Sequence, residues 1–227
     1  MAIKGLIIDF FGTLAKEDEG LVVDLCRAVM ESSPSVFQPG DVARYWWEIT
    51  NQCYQSYHGQ DFIGLKDLEL TALTETVEHF QAKLPAKEAL LPVFRDRLTP
   101  NLYEDSRLFM GRLPLPGVVM TNGDRADVEH ALKTTQLPVE TLITSEDVRS
   151  YKPRPELFQA ALEKLALKPE EVLVVGDSLR YDLEPAKALG MNTAWVNRSR
   201  KALGSAQAPD IQVASLSQLR TLMLRGR

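Results

Sequence analysis

The sequence predicts an α/β protein in which a parallel sheet is flanked by helices and a helical segment is inserted after the first strand. Three observations carry this expectation. Short apolar runs end at polar or turn-forming residues, as in Ile7-Ile8-Asp9 and Val118-Val119-Met120-Thr121. From about residue 100 onward such runs alternate with stretches of helical period, the pattern of a parallel sheet. Between about residues 15 and 99 there is no clean period-2 run, only helical stripes.

Residues 5–8 supply the first strand. The insertion follows, with stripes at Leu21, Val22, Leu25 and Val29; at Val42, Tyr45, Trp46, Ile49 and Cys53; at Leu70, Leu73, Val77, Phe80 and Leu84; and at Leu90, Val93, Phe94 and Leu98. Asp41 is placed to N-cap the second of these helices. Residues 118–120 form the next strand, followed by a helix from near Asp124 and a short strand at 141–144. Pro155 sits at the start of a helix whose Leu157, Phe158, Ala161, Leu162 and Leu165 share a face. Residues 172–175 are uniformly apolar, as a strand covered on both faces should be. A helix around 182–189 stops at Gly190, a residue suited to ending helices. Strands at 192–196 and 211–213, an exposed loop at 198–209 and a helix at 216–224 complete the chain. The expected division is residues 1–15 and 100–227 as the α/β core, with 16–99 as the insertion.

Composition narrows the function. A chain of 227 residues with 44% hydrophobic and 25% charged side chains has enough apolar surface for a sizeable core. A net charge of −5 argues against a general nucleic-acid binder, while a local cationic pocket for a small anion stays open. Cys26 and Cys53 have no metal-like spacing and the three histidines are scattered, so neither a disulfide nor a zinc site is expected. No apolar run approaches the roughly 20 residues of a membrane span. Residues 5–8 are too short for a signal-peptide core, and a cytoplasmic protein is expected.

The strand ends carry the chemistry. Asp9 in Asp9-Phe10-Phe11-Gly12-Thr13-Leu14 can act as a nucleophile toward phosphorus, projecting into the crevice at the sheet's carboxyl edge. Thr121-Asn122-Gly123 offers a hydroxyl and backbone amides to an anion, and Lys152, followed by Pro153, offers a fixed cation. Gly176-Asp177-Ser178 with Asp182 adds two carboxylates that would repel an anionic substrate unless a cation is bound. Hard oxygen donors of this kind suit Mg²⁺. Each segment alone also reads as an ordinary turn, a surface lysine or an acidic helix start.

Taken in order, these four segments resemble the motifs of the haloacid dehalogenase superfamily of aspartyl-nucleophile hydrolases. The resemblance implies a Rossmann-like α/β core, a helical cap domain formed by the insertion, and a small anionic substrate, typically a phosphate ester. It implies Asp9 as nucleophile and metal ligand, with Lys152 and Thr121 at the reacting group and Thr121, Asn122, Gly123 and Lys152 binding the substrate. Asp9, the Phe11 carbonyl, Asp177 and Asp182 would hold Mg²⁺.

One position departs from the family's phosphatases: Phe11 stands where they carry a second Asp as general acid/base. Three readings stay open. One is a metal-dependent phosphatase acting on substrates with good leaving groups, or borrowing a carboxylate such as Asp18. Another is a 2-haloacid dehalogenase, a branch that also places an aromatic residue here and whose halide leaves without a proton. The last is a non-catalytic ligand-binding homologue. Trp47 and Tyr54, off the main stripe of their helix, are candidates to line a substrate pocket.

Overall fold

The computed structural model describes residues 3–225. Six strands form one parallel sheet: β1 (Gly5–Asp9), β2 (Gly117–Thr121), β3 (Leu142–Thr144), β4 (Val172–Gly176), β5 (Asn192–Val196) and β6 (Ile211–Val213). Their spatial order is β3-β2-β1-β4-β5-β6. Ile8 lies opposite Val119 on one side of β1, and Ile7 opposite Val174 on the other. The chain therefore builds outward from β1 to β3, then returns to the far side of β1. Connections leaving the carboxyl ends of β1 and β4 diverge there and open a crevice.

Alternation along the strands feeds two cores. Leu6, Ile8, Val119, Leu173 and Val175 face one side of the sheet, while Ile7, Val118, Met120, Val172 and Val174 face the other. Burial on both faces is why these strands read as continuous apolar runs.

Four helices after β1 form the inserted module: α1 (Glu19–Ser32), α2 (Pro39–Ser56), α3 (Leu65–His79) and α4 (Ala86–Leu98). They pack around Leu25, Val29, Val42, Trp46, Ile49, Leu68, Leu73 and Leu90. The chain enters and leaves this helical module side by side. Lys16 N donates to Asn101 O at 2.7 Å and Tyr103 N to Leu14 O at 3.1 Å. Beyond it come α5 (Ser106–Met110), α6 (Arg125–Thr135), α7 (Ser145–Val148), α8 (Glu156–Leu165), α9 (Glu184–Ala188) and α10 (Leu216–Arg225). Side chains of α5, α6 and α10 cover the first face of the sheet, and those of α8 and α9 the second.

Several local expectations are corrected. Asp41 does not cap α2. Gln38 holds that position, and its N–H donates to Asp41, the third helical residue, at 3.1 Å. Val22 is exposed, so α1 buries Leu25, Cys26 and Val29 instead. Helix α3 buries Leu68, Ala72, Leu73 and Thr76 more deeply than Leu70 and Val77, so its inward face is turned from the expected stripe. The helix expected at 182–189 is split into a π-helical turn, Leu179–Leu183, and α9, whose second residue Pro185 has no N–H to give.

Asp124 precedes α6, yet its carboxylate accepts from Leu65 N at 2.6 Å and Lys66 N at 3.2 Å. It thus satisfies the free amides at the start of α3, in the other module. Lys66 returns an ion pair to Asp127 at 2.7 Å, and the Tyr151 hydroxyl donates to Ile63 O at 2.6 Å. Polar contacts of this kind seat the helical module over the sheet. Among the described residues, no helix is long and apolar enough to cross a membrane.

Candidate active site

Parallel strands put all their carboxyl ends on one edge, so residues remote in sequence converge there. Asp9 ends β1, Thr121 ends β2, and Asp177 follows the last residue of β4. Lys152 arrives on the loop before α8, across a cis peptide to Pro153. Its ammonium donates to Asp9 Oδ1 and to Asp182 Oδ1, each at 2.6 Å. Asp9 and Lys152 are 4% exposed and Asp182 1%, so these charges interact with little solvent screening.

The carboxylates of Asp9, Asp177 and Asp182 approach to within 4.8 Å of one another. Two glycines permit this. At Gly12, with φ of +87°, a Cβ would stand 2.4 Å from Asp177 Oδ1. At Gly176 a Cβ would stand 2.4 Å from Asp182 Oδ2. Asp182 Oδ2 accepts from Ser178 N at 3.2 Å, whereas Asp9 Oδ2 is buried without a hydrogen-bond partner. An orphaned buried carboxylate oxygen beside two further carboxylates fits a hard divalent cation such as Mg²⁺.

Electrostatics point the same way. Burial pushes the Asp9 carboxyl well above its usual range, and Asp182 and Asp177 add to this against the pull of Lys152. Burial and the Asp182 charge push Asp177 up to about 7. For Lys152, burial alone would lower the pKa, but Asp182 and Asp9 hold it above the ordinary lysine value, so it stays cationic. One lysine against three clustered carboxylates leaves the group short of positive charge.

The sequence-predicted residues Asp9, Phe11, Thr121, Asn122, Gly123, Lys152, Asp177 and Asp182 all line one cavity. The side-chain amide of Asn122 is engaged at both ends by the main chain of Lys152. Asn122 Oδ1 accepts from Lys152 N at 2.7 Å, and Nδ2 donates to Lys152 O at 3.2 Å. These bonds tie the Lys152 backbone to the end of β2. Thr121 Oγ1 accepts from Gly123 N at 3.2 Å, which leaves its own proton to donate into the cavity.

The site opens into a cavity of about 400 Å³ under the helical module. Phe11, Trp47 and Tyr54 line it, as do Glu17, Arg97, Arg180, Tyr181 and Lys201. The Phe11 ring meets Phe10 edge-on at 4.8 Å between centroids and packs into the first core. Asp18 is not in the cavity; its carboxylate caps α1, accepting from Gly20 N at 2.9 Å. Its neighbour Glu17 reaches the cavity instead, 4.0 Å from Arg97. Arg97 is itself held by both oxygens of Glu69, at 2.6 and 2.7 Å. Arg180 and Tyr181 lie between Asp177 and Asp182, so their segment was visible in the sequence; Glu17, Arg97 and Lys201 gave no such signal.

Residues 3–190 match the family model described as haloacid dehalogenase-like hydrolase. The pyrophosphatase PpaX of Bacillus cereus is 36% identical over 224 residues, covering 96% of this chain and 95% of that protein. The (S)-2-haloacid dehalogenase 4A of Burkholderia cepacia is 26% identical over 236 residues, covering 99% and 96%. Among solved structures, the L-2-haloacid dehalogenase from Xanthobacter autotrophicus with chloropropionic acid covalently bound superposes with a TM-score of 0.72 at 21% identity, covering 99% of each chain. With Asp9, Lys152, Asp177 and Asp182 gathered at the carboxyl edge of the sheet, these likenesses assign the chain: it belongs to the haloacid dehalogenase-like hydrolases.

Proposed function

We propose that this hydrolase is a Mg²⁺-dependent phosphohydrolase of small phosphorylated metabolites that works through an aspartyl-phosphate on Asp9. The observation that carries this is the convergence of Asp177 and Asp182 on Asp9 around a single lysine. A haloacid carboxylate entering such a cluster would meet net negative charge, whereas a divalent cation would neutralise it and attract phosphoryl oxygens. Asp9, Asp177, Asp182 and the Phe11 carbonyl would hold that cation, which supplies charge neutralisation at the phosphoryl group.

In this reading Asp9 attacks phosphorus and Lys152 balances charge on both the nucleophile and the transferring group. Thr121 donates its hydroxyl proton to a phosphoryl oxygen. Residues 16–99 act as the cap that closes over the reaction. Phe11 transfers no proton, so substrates whose leaving groups depart as weak bases are favoured, phosphoanhydrides above alkyl esters. The 36% identical relative, named a pyrophosphatase, supports that preference.

A paired assay tests the proposal: phosphate release and halide release, each with Mg²⁺ and with EDTA. Phosphate release that requires Mg²⁺ is expected. Halide release from a 2-haloacid that persists in EDTA would replace the proposal with the second reading, a 2-haloacid dehalogenase. Phe11 and the haloacid dehalogenase relative favour that reading.

Mg²⁺ should also raise the melting temperature by mass action, and Asp182→Asn should shrink the rise. The effect should be larger at about pH 8 than at about pH 5.5, because a proton on Asp177 competes with the metal below about 7. Without metal the sign reverses. A carboxyl raised from its ordinary value near 4 to about 7 binds extra proton in the folded state, so stability falls as pH rises through that window. Thermal scans across pH, with and without Mg²⁺, check both slopes.

A further inference from the structure

We propose that Arg180, seated on Trp47, and Lys201 form a subsite for the leaving group, built to receive a departing phosphate in phosphoanhydride cleavage. This rests on the phosphohydrolase reading and adds the part of the cavity that recognises what is expelled. The argument begins with the cations lining the cavity. Lys152 is matched by Asp9 and Asp182, and Arg97 by both oxygens of Glu69. Among the described residues, no carboxylate lies within ion-pair distance of Arg180 or Lys201. Even counting the Glu17 carboxylate, the outer wall therefore carries net positive charge, in contrast to the acidic cluster at the nucleophile.

The side chains of Arg180 and Lys201 are both exposed, and what ties them to the site is their position. Arg180 lies in the turn Leu179–Leu183, which also carries Asp182, so it is fixed relative to the reacting centre. Its guanidinium carbon stands 4.7 Å from the centroid of the Trp47 ring, and Trp47 is half-exposed on α2. A guanidinium held over an indole face by cation–π attraction keeps its N–H groups available to grip an oxyanion. Since Trp47 comes from the helical module and Arg180 from the sheet side, the subsite is complete only with the module seated. Lys201 stands on the loop after β5 and lines both this cavity and a smaller one beside Gly12 and Asp177.

The chemistry agrees with Phe11. An Asp9 oxygen bonds to the terminal phosphorus and the bond from that phosphorus to the bridging oxygen breaks. The electron pair stays on the bridging oxygen. The leaving phosphate departs as hydrogenphosphate, a far weaker base than an alkoxide, so it takes no proton on leaving, and Arg180 and Lys201 take up its charge. Water then attacks the phosphorus of the aspartyl-phosphate, whose bond to Asp9 breaks. One water proton stays on the released phosphate and the other passes to solvent. An alkoxide, with a conjugate acid near that of water at about 16, would need the proton that Phe11 cannot give.

The test compares inorganic pyrophosphate with p-nitrophenyl phosphate. Both leaving groups are weak bases, but only pyrophosphate expels a second phosphate. In the Arg180→Gln/Lys201→Gln double variant, kcat/KM for pyrophosphate should fall by about 30-fold or more. That for p-nitrophenyl phosphate should stay within about threefold. Equal losses on both substrates, or no loss on either, would overturn the subsite. Calorimetry supplies a readout without turnover, at matched free Mg²⁺. The unmodified protein should bind methylenediphosphonate about tenfold or more tighter than methylphosphonate, and the double variant should lose that preference. A preference that is absent, or that survives the double substitution, overturns the proposal. If neither phosphate substrate is turned over, the phosphohydrolase reading fails by itself, and the calorimetric preference still decides the subsite.

Discussion

Asp9→Asn should abolish phosphate release, by about 10⁴-fold or more, without lowering stability in metal-free buffer. The two halves of this expectation have one cause. Asp9 is held 4% exposed beside two other carboxylates, and burial raises its pKa well above the usual range. A buried charge with an orphaned oxygen is a cost to the fold that function requires. Asn keeps the shape and an oxygen for the Lys152 ammonium, removes one of three clustered negative charges, and places an amide where Oδ2 has no partner. What it lacks is the anionic oxygen that attacks phosphorus. The melting temperature without metal should therefore hold or rise, while the rise produced by Mg²⁺ should shrink. Rates and thermal scans on the same preparation check it. Substantial residual turnover would remove Asp9 from the nucleophile's role, and a large fall in melting temperature would mean that its charge supports the fold.

The parts of this molecule that could be read from the sequence are those where local pattern and chemistry coincide. Val172–Val175 had to be a strand buried on both faces, and Asp177 just beyond it had to lie at the carboxyl edge. The same logic placed Asp9 and Thr121. Lys152 was legible only through its place in the motif order, and its simultaneous bonds to Asp9 and Asp182 were not legible at all. Adjacent acids show the limit. Asp18 looked available for proton transfer, but a short carboxylate just before a helix is drawn to the free amides of its first turn. Glu17, one residue earlier and one carbon longer, reaches the cavity. Asp124 likewise precedes a helix and yet caps a different one, because Leu65 and Lys66 bring their free amides to it from the other module. Arg97 and Lys201 meet the site from elements far from any motif, where neither periodicity nor spacing carries a signal.

Phe11→Asp should raise turnover of alkyl phosphates by about 100-fold, with a much smaller gain on phosphoanhydrides and aryl phosphates. The ring now lines the cavity two residues after the nucleophile, so a carboxyl there would face the leaving oxygen as well as the incoming water. It could give a proton in the first step and take one in the second. Half-burial near Asp9 and Asp177 would push its pKa upward, toward the neutral range in which a general acid works best. Substrates that expel weak bases gain little, because their first step needs no proton. The substitution also has a structural cost. Phe11 packs partly buried against the first core and edge-on to Phe10, and losing that contact should cost about 1–3 kcal/mol. A fourth acid near the cluster adds repulsion that Mg²⁺ should partly relieve, so the variant should be more metal-dependent in stability than the parent. Activity must accordingly be compared at Mg²⁺ concentrations where both proteins are folded, beside Asp9→Asn as the blank. A folded Phe11→Asp protein whose alkyl-phosphatase rate stays at that blank would mean that the cavity holds no phosphate ester in line with Asp9. Phe11 would then be part of a site shaped for a leaving group that needs no proton in either direction, as halide does.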